Sequence, residues 1–323
     1  MSENELINLV QRKPRVIELV EARERIENDI WGKNKAFSHY FLCSVSLPHR
    51  RLDPLRNYQK TNGNISLSMQ GGLLPNPDPE QPYREMGIPF GSKSKLLLLL
   101  LQSRAVLTNS PRVEVGDNFT DLLRSMKLCS DTRSIRAMRE QIDRMSCLTM
   151  RLTRFGEQVE TFQAPLFSSV VASYPKSHRQ RVLFSNEIVF SDPFFRSLRD
   201  HSVPLRADAL FGGLSRSSMG IDIYCWLASR LFRLKKPQYI RWTMLKKQFS
   251  VQGSNGMKAD TKSFKRQFSK AMKQCLMVYP EARVEQWIER RRDRDVNAGF
   301  ILYPSRPTVL PREVRESRQL IVR

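Results

Sequence analysis

Lys262, Arg266, Lys270 and Lys273 follow one another at steps of four, four and three residues, with Lys265 beside them. In a helix of 3.6 residues per turn this spacing gathers the cations into one stripe. Phe264, Phe268, Ala271, Met272 and Cys275 occupy the interleaved positions of an inward face, and Asp260 or Thr261 stands where the N-cap of a helix over 261–275 is expected. A helix with this basic stripe fits the major groove of a duplex, where Lys and Arg pin phosphates or bridge guanine edges. Many lysine-rich helix faces are merely solvated. Between 228 and 275, however, 13 basic residues meet a single acid, Asp260, which weighs against plain solvation. Lys246 and Lys247, on a short helix expected over Trp242–Phe249, belong to the same segment.

Two further basic groups have the same chemistry. Arg133, Arg136, Arg139 and Arg144 lie off the apolar stripe Ile135, Met138, Ile142 and Met145 of a helix expected over 131–147, although Glu140 and Asp143 dilute the charge there. Arg290, Arg291 and Arg292 fall at the tip of an expected hairpin, placed for a phosphate or minor-groove contact.

Catalytic patterns are missing. There is no G-x-x-x-x-G-K-[ST] to cradle a nucleotide and no H-E-x-x-H to hold a metal, and the four histidines are far apart in the sequence. No acidic cluster suited to two Mg²⁺ stands out. The expectation is a binding protein rather than an enzyme, with no cofactor and no metal. Five cysteines, widely spaced and without a C-x-x-C pair, read as reduced thiols near cores. The longest apolar run, Leu96 to Leu101, is far short of the ~20 residues that span a bilayer. With no apolar signal core at the N-terminus, the protein is expected to stay in the cytoplasm, on DNA rather than a membrane.

The chain has 323 residues, with 54 Lys+Arg against 32 Asp+Glu and a net charge of +22. Residues 1–38 hold seven bases and seven acids, so the excess begins later and is densest at 228–275. A located basic excess of this kind is the electrostatic footprint of a nucleic-acid binder.

The elements that would position these side chains come in two similar series. After a charged helical arm interrupted at Pro14, short strands are expected at 41–47 and 65–69, with a turn at 61–64 between them and a proline-rich loop at 71–82. Helices over 94–107, 119–128 and 131–147 then precede strands at 148–155 and 181–190, joined by a loop through Tyr174-Pro175. A second series runs from a long helix over 216–235, through Trp242–Phe249 and 261–275, to a hairpin from 282 to 303 with a charged turn at 289–295. Three helices followed by a hairpin is the order of a winged helix. The fold expected is therefore α+β: an arm at 1–38, winged-helix domains at 39–200 and 201–305, and a tail at 306–323.

Particular motifs sharpen this reading. Leu47-Pro48-His49-Arg50, Tyr58 and Asn62-Gly63-Asn64-Ile65-Ser66-Leu67 resemble the opening of the RepA family of plasmid replication initiators. Gly87-Ile88-Pro89-Phe90-Gly91-Ser92 leading into a leucine-rich helix, and then Leu123-Arg124, continue the resemblance. So do Ile221 to Leu227, Arg230 to Leu234, Val278-Tyr279-Pro280 and Tyr303-Pro304-Ser305. The resemblance implies an initiator of tandem winged-helix type that binds repeated sites (iterons) in double-stranded DNA at a plasmid origin. It implies origin opening, plasmid copy control, contact with its own promoter, and recruitment of a host initiator ATPase and replicative helicase. The first domain would mediate a homodimer in equilibrium with monomer, and the second would dominate DNA binding. A transcriptional repressor acting only on an operator would have the same composition.

Overall fold

Leu96 to Leu101 are all buried, because the helix that carries them, Gly91–Thr108, lies at the centre of a core. The computed structural model describes residues 14–29, 32–53, 57–76, 78–173, 184–250, 260–291 and 294–310. The fold is α+β. Contacts divide the chain into a continuous unit, Phe37–Val203 (with 251–259, outside the described residues), and a discontinuous one assembled from Met1–Ala36, Pro204–Ser250 and Asp260–Arg323.

In the continuous unit, helix Thr132–Ser146 packs against both Gly91–Thr108 and Phe119–Ser125. Strands Tyr58–Asn62 and Ile65–Gln70 form the expected hairpin, with Gly63 at φ +59° in its turn. Next to it come Thr149–Phe155 and then Val159–Pro165, completing a four-stranded antiparallel sheet. A second sheet joins Arg112–Glu114, Phe184–Phe190 and Phe167–Ser173.

Several expectations change here. The strands at 148–155 and 181–190 do not pair with each other; two strands, Val159–Pro165 and Phe167–Ser173, stand between them where a loop was expected. Val159–Pro165 is an edge strand exposed on most of its length, so it lacks the alternation that marks a half-buried strand. Tyr174-Pro175 and 181–183 lie outside the described residues. The expected strand at 41–47 opens as a helical turn, Tyr40–Ser44, because the His39 ring accepts a hydrogen bond from the Phe41 N–H and caps it. The proline-rich 71–82 stretch contains Gly72–Pro75, which pairs with Tyr83–Met86. A two-stranded ribbon consists only of edges, where proline is tolerated.

His39 also corrects the view of the histidines as isolated. Its ring stacks 6.1 Å from His201, and its Nε2 donates to Ser197 Oγ at 2.9 Å, Nδ1 being the acceptor. Burial, aided by the nearby His201, lowers the His39 pKa to about 3. With the folded value depressed, the unfolded chain takes up the proton first. Stability of this unit should therefore fall as pH drops below about 6.5, by on the order of 2 kcal/mol at pH 5. Urea unfolding by circular dichroism at pH 7.5 and 5 checks this, with His39→Gln flattening the dependence; a wild-type midpoint that does not move would contradict it.

The discontinuous unit begins with helix Pro14–Asn28, whose proline occupies the first turn, where a missing N–H leaves no bond unmade. The helix is no free arm. It buries Leu19, Ala22 and Ile26 against a π-helical turn, Asp208–Gly213. Gly213 permits the approach: a Cβ there would fall 2.8 Å from Val278 Cγ1 and 3.2 Å from Ala22 Cβ. Asp208, itself buried, accepts from Arg25 (3.1 Å) and Asn34 (2.6 Å). Arg206 donates to the Ile26 carbonyl at 2.9 Å and pairs with Glu281 at 2.8 Å.

The helix expected over 216–235 is shorter, Ser218–Arg230, followed by a 3₁₀ turn Leu231–Arg233 and an unforeseen strand, Gln238–Arg241. Helices Trp242–Phe249 and Thr261–Met277 come next, then strands Val284–Arg291 and Arg294–Leu302. The three strands form one antiparallel sheet with Arg294–Leu302 in the middle.

Candidate nucleic-acid interface

Helix Thr261–Met277 is fixed at its start by Asp260, whose carboxylate accepts from the N–H groups of Lys262 (3.3 Å) and Ser263 (2.8 Å). Those donors hold the Asp260 carboxyl below the usual carboxylate range. Asp260→Ala should therefore fray the first turn, with amide exchange at Lys262 and Ser263 roughly fivefold faster. Unchanged protection would mean the cap is dispensable.

The apolar face is as the spacing predicts: Phe264, Phe268, Ala271, Met272 and Cys275 are all buried. Trp242 anchors them. Its ring meets Phe268 and Phe300 edge-on at 5.7 and 5.3 Å, and its Nε1 donates to Asn297 Oδ1 at 3.0 Å, tying helix to sheet.

On the opposite side Lys262, Arg266, Lys270 and Lys273 are exposed, and the helix has no acid of its own. Lys247 is exposed on the preceding helix. Two other cations have partners inside the unit. Lys265 Nζ lies 5.4 Å from the centre of the Trp242 ring, and Lys246 Nζ donates to Thr261 Oγ1 at 2.7 Å, joining the two helices. The stripe seen in the sequence thus divides into a solvent-facing row and two residues that brace it.

The expected turn at 289–295 is narrower. The ladder continues to Arg291 opposite Arg294, and Arg290 sits within a strand opposite Asp295, its side chain exposed. The Arg291 side chain and Arg292 lie outside the described residues.

In the continuous unit, Asp131 caps helix Thr132–Ser146 by accepting from Ser134 N at 2.7 Å. Arg133, Arg136 and Arg139 are exposed along it. Arg144, expected with them off the apolar stripe, is instead buried, because it pairs with Glu140 at 2.9 Å, donates to the Ile88 carbonyl and lies over the Phe90 ring. Arg51 reaches the same Glu140 (2.6 Å) and the same ring. Sequence reasoning passed over this clamp, although Glu140 and Arg144 are four residues apart, the spacing of a helical ion pair. Two stretches that carry the family resemblance meet beside it, where Gly91 N–H donates to the Pro48 carbonyl at 2.9 Å.

Chemically, both exposed rows offer cations to solvent on rigid helices, suited to anionic oxygen and to base edges. Among the described residues no three His, Cys, Asp or Glu side chains gather to hold a metal ion, and all five cysteines are free thiols. No described helix is long and apolar enough to cross a membrane.

Comparison with known proteins adds three findings. No curated protein matches the chain. Among solved structures, a selenomethionine derivative of domains 2 and 3 of RctB is similar over 83% of this chain and 98% of its own, at 11% identity and TM-score 0.51. A further crystal structure of RctB domains 2–3 gives 86%, 99%, 11% and 0.51. At that identity the likeness concerns the fold alone. Residues 88–244, from just before the leucine-rich helix into Trp242–Phe249, match the model of the plasmid-encoded RepA protein family.

Proposed function

We propose that the protein is a plasmid replication initiator that binds repeated double-stranded DNA sites at the origin, promotes opening of the adjacent duplex and brings in host replication proteins. The observation that carries this reading is the row Lys262, Arg266, Lys270 and Lys273, exposed on a helix whose other face is locked into a core. In this reading residues 218–302 form a winged helix. Their order of helix, strand, helix, helix, strand, strand supports it, as does the pairing of Gln238–Arg241 with the last strand. Thr261–Met277 is then the helix that enters the major groove, with Arg133, Arg136 and Arg139 as a second, weaker contact row.

The protein acts by binding and deforming DNA, with no bond made or broken, in the bacterial cytoplasm. It engages the origin and its own promoter, and it helps set plasmid copy number. Footprinting on DNA flanking its gene is the direct test. Protection of direct repeats, each about two helical turns, supports an initiator, whereas a single protected palindrome would make it a promoter-bound repressor. Incubation with supercoiled origin plasmid and Mg²⁺ should leave the plasmid closed; nicked circles would overturn the non-catalytic reading.

A further inference from the structure

Thr261 and Gln267 are the two exposed uncharged side chains on the basic helix Thr261–Met277; every other exposed side chain there is a Lys or an Arg. Thr261 is already engaged, since its Oγ1 accepts from Lys246 Nζ. Gln267 follows Arg266 directly and stands three residues before Lys270. At about 100° per residue it lies roughly 200° round the helix from Lys265, on the flank away from Trp242. Its Nε2 donates to Ser263 Oγ at 3.1 Å, one turn earlier. Ser263 in turn belongs to the capped first turn, its N–H held by the Asp260 carboxylate at 2.8 Å. The amide is therefore oriented before any ligand arrives. With one N–H given to Ser263 it keeps a second N–H and the Oε1 carbonyl, a donor and an acceptor side by side.

We propose that Gln267 is the adenine-reading residue of this interface, and that Ser263 is the positioning residue that fixes its amide. The inference rests on the duplex-binding reading of the same helix. A cation gains from any phosphate in reach, so Lys262, Arg266, Lys270 and Lys273 hold duplex of every sequence. A neutral amide has no such gain. It stabilises a complex only where its two hydrogen bonds are met. Adenine is the base that meets both in the major groove, its N6 amino group donating to Oε1 and its N7 accepting from Nε2. Guanine presents two acceptors there, O6 and N7, so the Gln267 carbonyl would face a second oxygen with no proton between them. Cytosine and thymine each offer one partner. The place on the helix fits as well. Gln267 is seventh of 17 residues, in the half whose side chains reach base edges when such a helix enters the groove.

Affinities of the full-length protein for the duplex protected in the footprint, with each base pair replaced in turn, test this. For the wild type, replacing one A·T pair of the repeat should cost on the order of tenfold to a hundredfold, the worth of a good bidentate contact. In Gln267→Ala that loss should all but vanish, with the penalties at the other pairs unchanged. The slope of log affinity against log salt should stay at the wild-type value, because no charge is withdrawn. The melting temperature should hold too, since alanine favours an exposed helical position. Ser263→Ala should lower discrimination at the same pair, and Ser263→Thr, which keeps the hydroxyl, should retain it. A probe on the DNA needs no variant to fold: 7-deazaadenine at that pair removes the N7 acceptor and leaves base pairing intact. It should weaken the wild type and leave Gln267→Ala unaffected. Gln267→Ala with the wild-type penalty at every pair, or a wild type indifferent to 7-deazaadenine throughout its site, would overturn the inference and leave duplex binding standing. A wild type that binds no duplex would overturn both.

Discussion

Replacing Lys262 and Arg266 together by alanine lowers affinity for the protein's duplex DNA site by on the order of a hundredfold, at about 1–3 kcal/mol for each side chain withdrawn from the DNA. Both side chains are exposed and alanine favours the helix, so the melting temperature should hold while binding falls. The salt dependence separates weakened binding from damage to the fold. Each phosphate contact contributes about 0.9 to the slope of log affinity against log salt, so the double variant should be shallower by roughly two units. Arg290→Ala, on the neighbouring strand, should cost less, because one cation at the edge is removed rather than two on the groove-facing row. Titrations over a salt series check both points. Equal effects in the two variants, or an unchanged slope, would mean that this helix is not the main reader.

The second large effect concerns stability. Ile26→Ala should cost the discontinuous unit about 2–5 kcal/mol, because Ile26 is 2% exposed on the buried face of the N-terminal helix. Deleting residues 1–29 removes Leu19 and Ala22 as well and uncovers the buried Asp208. The summed cost approaches the whole stability of about 5–15 kcal/mol typical of a domain. The measurement is selective, since Trp226, Trp242 and Trp287, the tryptophans among the described residues, all belong to this unit. Urea unfolding followed by tryptophan fluorescence should show a lowered midpoint for Ile26→Ala, with DNA binding abolished in the deletion. A midpoint at the wild-type value would show that the N-terminal helix is a passenger.

Much of the helical architecture was legible from the amino acids. Thr261–Met277 and Thr132–Ser146 combine an acidic cap with apolar residues at steps of three and four, and two local signals that agree leave little room for another structure. Trp242–Phe249 matches its expected limits to the residue. The strands fared worse where burial does not alternate. Val159–Pro165 is exposed at an edge, and Gln238–Arg241 is only four residues long, so neither leaves a period to read. For the site, the face of the basic helix could be read from spacing alone. Which cations have partners could not, because Lys265 over Trp242 and Lys246 on Thr261 join separate elements, and spacing within one element is blind to that. The place of the N-terminal helix was hidden for the same reason. Its partners at Asp208–Gly213 lie about 180 residues away in the chain, at a distance over which no local pattern reports.

That separation has a consequence during synthesis. Leu19, Ala22 and Ile26 are made about 250 residues before Val278, and earlier still than the sheet ending at Leu302. At about 5–20 residues per second, the apolar stripe of the first helix waits roughly 15–50 s for its partners. A chain not yet made as far as Leu302 therefore holds the basic helix without the sheet that braces it. Closure of this unit therefore waits on the strand Arg294–Leu302.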